Sequence, residues 1–193
     1  MEVRLADCAG FCFGVKRAVD TVYEQLKNGK TIYTYGPIVH NEEVVRELSE
    51  KGVRVLENKE DLKQLKAGEN IPTVIIRAHG VAKEIYDIME ANGLECIDAT
   101  CPFVQKIQRI AAQAEKEGAV LLVAGDKTHP EVQGIVGHTR GEVFVFADLA
   151  ELKAWKGPSD PQKPLFAVAQ TTFQVTKWQE SSEFLKKAYT NAR

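Results

Sequence analysis

Short runs rich in β-branched and aromatic residues alternate along this chain with longer segments of helical periodicity. Such alternation is typical of βαβ units, in which crossover helices join parallel strands. The predicted strands span residues 3–6, 31–35, 53–56, 73–77, 95–98, 119–124, 143–146 and 165–169. The predicted helices span residues 15–27, 41–51, 81–92, 102–117, 131–136 and 174–193. The pattern therefore predicts an α/β fold of small parallel sheets flanked by helices.

The composition limits the classes of protein to which the chain can belong. Its 193 residues, 44% of them apolar, suffice for one large or two small domains with a hydrophobic core. A formal net charge of −2 without a basic stripe argues against a nucleic-acid partner. Apolar runs such as residues 119–124 are too short to cross a bilayer, and the N-terminus does not resemble a signal peptide. We therefore expect a cytoplasmic protein that binds no membrane.

Reactive residue types follow six of the predicted strands. In parallel α/β sheets, ligands bind outside the carboxyl ends of the strands, so we expect these motifs to contribute to a site. The motifs are GFCFG (10–14), HN (40–41), AHG (78–80), TCP (100–102), THPE (128–131) and QTT (170–172).

Two of the four cysteines occupy matching positions at the starts of predicted helices. Cys12 lies between two glycines just before a helix, and Cys101 precedes Pro102, which suits the first helical position. A helix N-terminus favours the thiolate, the form that binds iron or zinc. The sequence predicts that Cys12 and Cys101 bind one metal centre. Buried or redox-active thiols remain the alternative.

The other two cysteines lack this setting. Cys96 lies within a strand pattern and is predicted to belong to the core, because free cysteine is often a small buried residue. Cys8 precedes the glycine-rich turn and is a weaker candidate for a further ligand near Cys12.

Three of the four histidines, His40, His79 and His129, precede a turn or a helix start. Imidazoles near helix N-termini suit anions, so these residues predict a phosphate or metal site, whereas His138 is predicted to be structural. Glu131 is a candidate general acid, or alternatively a carboxylate that favours the helix dipole.

The hydroxyls of Thr171 and Thr172 offer donors and acceptors at another strand end. Alone they would indicate only a helix cap.

Extended to GFCFGV (10–15), DATCP (98–102) and HPEV (129–132), the six motifs resemble those of the 4-hydroxy-3-methylbut-2-enyl diphosphate reductase family. The members of this family catalyse the last step of the non-mevalonate isoprenoid pathway. The resemblance implies a trefoil-like arrangement of three small α/β lobes around a central site. Two lobes are expected at residues 13–99 and 100–193, with residues 1–12 as an N-terminal strand and cluster loop.

The resemblance also implies roles for the ligand-binding residues. Cys12 and Cys101 would bind an oxygen-sensitive 4Fe–4S cluster. His40 and His79 would contact the substrate diphosphate, with His129 in the same pocket.

The implied reaction is an iron–sulfur-dependent reduction of an allylic diphosphate. Glu131 would donate the proton, and Thr171 would position the substrate hydroxyl and take part in the proton relay. Two electrons from a ferredoxin- or flavodoxin-type donor would release water and give isopentenyl and dimethylallyl diphosphate.

The family's third cluster cysteine and third lobe follow the helix after QTT, and this chain ends at Arg193. We therefore expect the chain alone to lack the third lobe, the third cysteine ligand and reductase activity.

Two other function classes are considered. One is a non-catalytic phosphate-binding α/β module with a structural Cys/His zinc site. Zinc sites usually contain close cysteine pairs, and the nearest spacing here is Cys8 to Cys12, which argues against zinc. The other is a thiol oxidoreductase. The chain lacks the CxxC motif typical of such enzymes, and this function would leave the histidines unexplained.

Overall fold

In the computed structural model, which describes residues 3–4, 6, 9–68 and 71–189, strands and helices alternate as predicted. The helices are α1 (Phe13–Lys27), α2 (Glu42–Glu50), α3 (Lys59–Gln64), α4 (Lys83–Ala91), α5 (Pro102–Lys116), α6 (Pro130–Val136), α7 (Leu149–Ala154) and α8 (Val175–Ala188). The strands are β1 (Ile32–Tyr35), β2 (Arg54–Leu56), β3 (Thr73–Ile76), β4 (Glu95–Asp98), β5 (Val120–Ala124), β6 (Val143–Phe146) and β7 (Leu165–Ala169). None of the described helices is long and apolar enough to cross a membrane. The predicted α/β fold class is confirmed.

Two short helices, α3 and α7, were not predicted. Each begins at a side-chain cap: Asn58 accepts from the backbone N–H of Asp61, and Asp148 accepts from those of Ala150 and Glu151. Each helix has only six residues, which is too few for an apolar periodicity to become visible. The capping residues Asn58 and Asp148 were the sequence signal from which these two helices could have been predicted.

The strand predicted for residues 3–6 is not seen at Val3, Arg4 or Ala6. A strand needs a hydrogen-bonded neighbour, and no described strand of either sheet pairs with these residues. Val3 is 85% exposed, so its side chain does not contribute to a core. Leu5 lies outside the described residues.

The first of two units comprises Met1–Ala78 and Met89–Cys101. Its four strands pair in parallel in the order β2-β1-β3-β4. All four residues of β3 are buried, as expected for an inner strand. Ala18 of α1 packs with Ile32 and Ile75 in one hydrophobic cluster. This packing anchors the helix that follows the first thiol motif.

The second unit comprises His79–Ile88 and Pro102–Arg193. Its three strands are parallel in the order β6-β5-β7, and every residue of β5 is buried. Successive β5 side chains point to opposite faces: Leu121 packs with residues of α5 and α6, and Leu122 with residues of α7 and α8. Helices therefore cover both faces of this sheet.

Replacing Leu122, which is 0% exposed, by alanine tests the position of β5 at the centre of this core. We expect the free energy of unfolding to fall by about 2–5 kcal/mol, because lost burial and a residual cavity add. Val175 is 69% exposed and provides the control. Val175→Ala should change the free energy by less than about 0.5 kcal/mol in urea denaturation. Equal effects of the two substitutions would contradict this placement.

Candidate active site

Parallel pairing brings two of the predicted motifs together in the second unit. Ala124 at the end of β5 and Ala169 at the end of β7 are register partners, so the loops that follow leave the same edge of the sheet. Gln170 joins these loops: its backbone N–H donates to the Ala124 carbonyl at 2.8 Å, and its side-chain Oε1 accepts from the Asp126 backbone N–H at 3.1 Å. The two loops are therefore held as one piece.

The loop after β5 is shaped by Asp126. Its Oδ1 accepts from the hydroxyl of Thr128 at 2.7 Å and from the Thr128 backbone N–H at 2.8 Å. These two hydrogen bonds, of which the one from the Thr128 hydroxyl has the larger effect, hold the pKa of the Asp126 carboxyl below its usual range. This turn directly precedes His129, the N-cap residue of α6.

A buried carboxylate lies in the first turn of α6. Glu131 is 1% exposed. One carboxylate oxygen accepts from the Thr171 backbone N–H at 2.7 Å, and the other accepts from the Thr171 hydroxyl at 2.8 Å. These two hydrogen bonds hold the buried carboxyl group against the side chain of Thr171, which is an exposed residue. A carboxyl held in this way is placed to give a proton through that hydroxyl.

Two imidazoles accompany this acid. The rings of His79 and His129 meet edge to face, with centroids 5.4 Å apart and an interplanar angle of 79°. The Nδ1 atom of His129 accepts from the Glu131 backbone N–H at 3.1 Å, so its neutral ring carries the proton on Nε2. The structure thus brings together four predicted site residues, the histidine–glutamate cluster: His79, His129, Glu131 and Thr171.

The His79 segment lies against α6 at two glycines, Gly134 within the helix and Gly137 at its C-cap. A Cβ atom added to Gly134 would lie 3.5 Å from the Gly80 backbone, and one added to Gly137 would lie 2.2 Å from the Ala82 Cβ. The Lys83 backbone N–H also donates to the Gly137 carbonyl at 3.2 Å. Sequence reasoning missed these glycines, although their three-residue spacing places them on one helix face.

His138 reinforces the same contact. Its Nε2 lies 3.0 Å from the Val81 carbonyl, to which it must donate because a carbonyl oxygen only accepts. The ring centroid of Tyr86 is 6.4 Å away. This placement matches the structural role predicted for His138.

Replacing Gly137 by alanine should disturb the histidine–glutamate cluster. The new methyl group would meet the Ala82 side chain at 2.2 Å, so α6 and the His79 segment must separate. We expect a loss of about 1–3 kcal/mol of stability, as for other overpacked sites. Gly68→Ala is the matched control, because a Cβ there meets nothing within 4 Å and φ is not positive. Thermal unfolding measures both variants, and equal midpoints would argue against close contact at Gly137.

The first unit holds both thiols predicted as metal ligands. Cys12 is exposed and is the N-cap residue of α1, and its side chain makes no capping hydrogen bond. Cys101 is partly exposed, and its backbone N–H donates to the Ala78 carbonyl at 2.9 Å. A Cβ atom on Gly14 would lie 2.7 Å from the Cys101 sulfur, so the absent side chain lets α1 approach it closely.

These accessible thiols at helix starts fit the donor chemistry of an iron–sulfur cluster. No group of three His, Cys, Asp or Glu residues able to hold a metal ion occurs within the described ranges. Cys8 lies outside the described residues.

Cys96 is exposed on β4, so its predicted core position is wrong. The strand lies at the edge of its sheet, and its residues alternate between half-buried and exposed. An edge strand is covered less completely than an inner one, and Cys96 occupies an exposed position of this alternation.

His40 lies in the first unit and is exposed. It precedes Asn41, whose side chain caps α2 by accepting from the Val44 backbone N–H at 3.0 Å. Beside it is an open cavity of about 610 Å³, which Val39 and Arg46 help to line.

The chain is an α/β protein whose side chains suit acid and metal chemistry. They include a buried carboxyl group hydrogen-bonded to a threonine, two facing imidazoles and two thiols at helix starts. The chain belongs to the LytB protein family, whose model matches residues 3–193. The resemblance found in the motifs is thereby confirmed.

Curated relatives carry the name 4-hydroxy-3-methylbut-2-enyl diphosphate reductase. Those of Caldanaerobacter subterraneus subsp. tengcongensis and Thermoanaerobacter sp. strain X514 are each 42% identical, over 192 and 188 residues. Each match covers 96% of this chain and 62% of the relative, so the chain spans about three fifths of their length.

Solved structures of such reductases share the fold. The Plasmodium falciparum enzyme aligns with a TM-score of 0.83 and 30% identity, covering 97% of this chain and 57% of the other. A second structure, described as the terminal enzyme of the non-mevalonate pathway, aligns with a TM-score of 0.80 and 36% identity, covering 97% and 64%.

Proposed function

We propose that this chain carries catalytic and cluster-binding residues of a 4-hydroxy-3-methylbut-2-enyl diphosphate reductase. The reaction removes the allylic hydroxyl by a two-electron reduction and gives isopentenyl and dimethylallyl diphosphate. The observation that carries the proposal is the histidine–glutamate cluster in a chain of the LytB family. The predicted cytoplasmic location and the absence of nucleic-acid and membrane partners remain predictions.

The acid has a defined task in this reaction. Hydroxide is a poor leaving group, so the substrate oxygen must receive a proton as its bond to carbon breaks. Glu131 is buried, whereas Thr171 is exposed and shares a 2.8 Å hydrogen bond with it. In the relay, protonated Glu131 would give its proton to the Thr171 oxygen while the Thr171 hydroxyl proton passes to the substrate oxygen. This leaves Glu131 as a carboxylate that accepts from Thr171, the arrangement in the structure. The same hydroxyl would orient that oxygen.

The imidazoles have a complementary task. The Nδ1 atom of His129 is occupied by the Glu131 backbone N–H, which leaves Nε2–H as the donor for an anion. His79 lies beside it, and His40 is the third imidazole assigned to the diphosphate. Imidazole N–H groups bind phosphate oxygens well, and more strongly when the rings are protonated.

Cys12 and Cys101 would hold the iron–sulfur cluster. Both thiols are accessible, and both lie directly before the first residue of a helix. When bound, a 4Fe–4S cluster with an open iron supplies the electrons, taken from a ferredoxin- or flavodoxin-type donor, and Lewis acidity toward the substrate oxygen.

The alternative, a non-catalytic phosphate-binding module with a Cys/His metal site, is less well supported. Such a module gives no task to Glu131, a buried carboxyl group whose two oxygens both accept from the exposed residue Thr171.

Replacing Glu131 by glutamine tests the proposed acid in the intact protein, which here means a protein that carries this chain together with the third lobe and third cysteine ligand expected of the family. Glutamine keeps the size and can still accept from the Thr171 backbone, but it carries no acidic proton. We expect kcat to fall by about 10²–10⁴-fold with the allylic diphosphate under anaerobic conditions and a chemical reductant.

The control for this test is Glu180→Gln, which removes an exposed carboxylate of α8. It should leave kcat at the wild-type value. An unchanged kcat in Glu131→Gln, with wild-type activity present, would remove Glu131 from the mechanism.

A further inference from the structure

Helix α1 reaches the peptide group before Cys101 through a single long side chain. The guanidinium Nη2 of Arg17 donates to the Thr100 carbonyl at 2.5 Å, across 83 positions of sequence. Thr100 is fully buried, and its backbone N–H donates to Asp98 at 2.9 Å. Both backbone groups of Thr100, the residue before the predicted ligand Cys101, are therefore fixed by hydrogen bonds to side chains.

The guanidinium of Arg17 is only partly satisfied. Its Nε atom is buried and has no hydrogen-bond partner within the described residues. Arginine stays charged at all relevant pH values, and a buried donor without a partner costs free energy. The guanidinium lies at the residue before Cys101, so a negative charge bound at Cys101 would be stabilised by it.

The same face of α1 also contacts the sulfur itself. Gly14 lies three residues before Arg17, a spacing that places two residues on one side of a helix. The position of its missing Cβ is 2.7 Å from the Cys101 sulfur. One face of α1 therefore both approaches the Cys101 sulfur, at Gly14, and donates a hydrogen bond to the Thr100 carbonyl, from Arg17. Cys12 is the N-cap of this helix.

We propose that Arg17 is a positioning residue of the thiolate site, which fixes Cys101 over Gly14 and places a permanent positive charge beside the bound cluster. The inference rests on the proposed function, because it assumes that Cys12 and Cys101 bind iron. Two separable consequences follow. The hydrogen bond to Thr100 keeps the ligand in place, and the charge favours the reduced cluster, which carries one more negative charge.

Two substitutions separate these effects in the intact protein. Arg17→Met removes the charge and the hydrogen bond but keeps an apolar stem, whereas Arg17→Lys keeps the charge and loses the planar fork. Lys16→Met is the matched control, because Lys16 is the exposed neighbour whose charge is paired with Asp20 at 2.6 Å.

The test measures two properties of the anaerobically reconstituted protein: the midpoint potential of the cluster, from a redox titration followed by electron paramagnetic resonance, and the rate of iron loss to a chelator. We expect Arg17→Met to lower the potential and lose iron faster. Arg17→Lys should lose iron faster at a nearly wild-type potential. Lys16→Met should match the wild type in both.

Wild-type potential and wild-type iron loss in Arg17→Met would overturn the role of Arg17 alone. If that variant does not fold, Arg17→Lys decides: wild-type iron loss overturns the positioning role, and faster loss at an unchanged potential supports it. Wild-type protein that assembles no iron–sulfur cluster would overturn the proposed function and this inference with it.

Discussion

The parallel pairing of β5 with β7 is the contact on which the candidate site depends. Because Ala124 and Ala169 are partners in register, the loop that leads to Glu131 and the loop that carries Thr171 start side by side. A buried carboxylate without donors would cost several kcal/mol. Here the Thr171 backbone and hydroxyl supply two donors, at 2.7 and 2.8 Å. The sheet that forms the core thus also provides the environment in which Glu131 can be buried.

A second constraint is the close approach of backbone to site residues, which glycine alone permits. Gly14 lets the Cys101 sulfur approach the first turn of α1, and Gly137, the C-cap residue of α6, lets Ala82 of the His79 segment approach the end of that helix. A side chain at either position would collide with its neighbour, so glycine permits the close contact at both places.

Much of this organisation follows from local sequence. The strand runs, the helix-start cysteines and the strand-end motifs all rest on short-range patterns. Each strand and helix predicted between residues 31 and 169 matches an element of the structure, whereas the six-residue helices α3 and α7 were missed. Two further missed features depend on contacts between distant residues. Cys96 has the pattern of a core strand and is exposed because β4 is an edge strand. The bond from Arg17 to Thr100 spans 83 positions, so no window of sequence reveals it.

If Cys12 and Cys101 bind an iron–sulfur cluster, the protein must contain iron and inorganic sulfide together, and both must depend on these two thiols. The most direct measurement is the content of iron, zinc and inorganic sulfide in the anaerobically purified intact protein, compared with its Cys12→Ser and Cys101→Ser variants. We expect iron with a similar amount of sulfide in the wild type and a loss of both in each variant. Zinc without sulfide, or iron and sulfide unchanged in both variants, would contradict it.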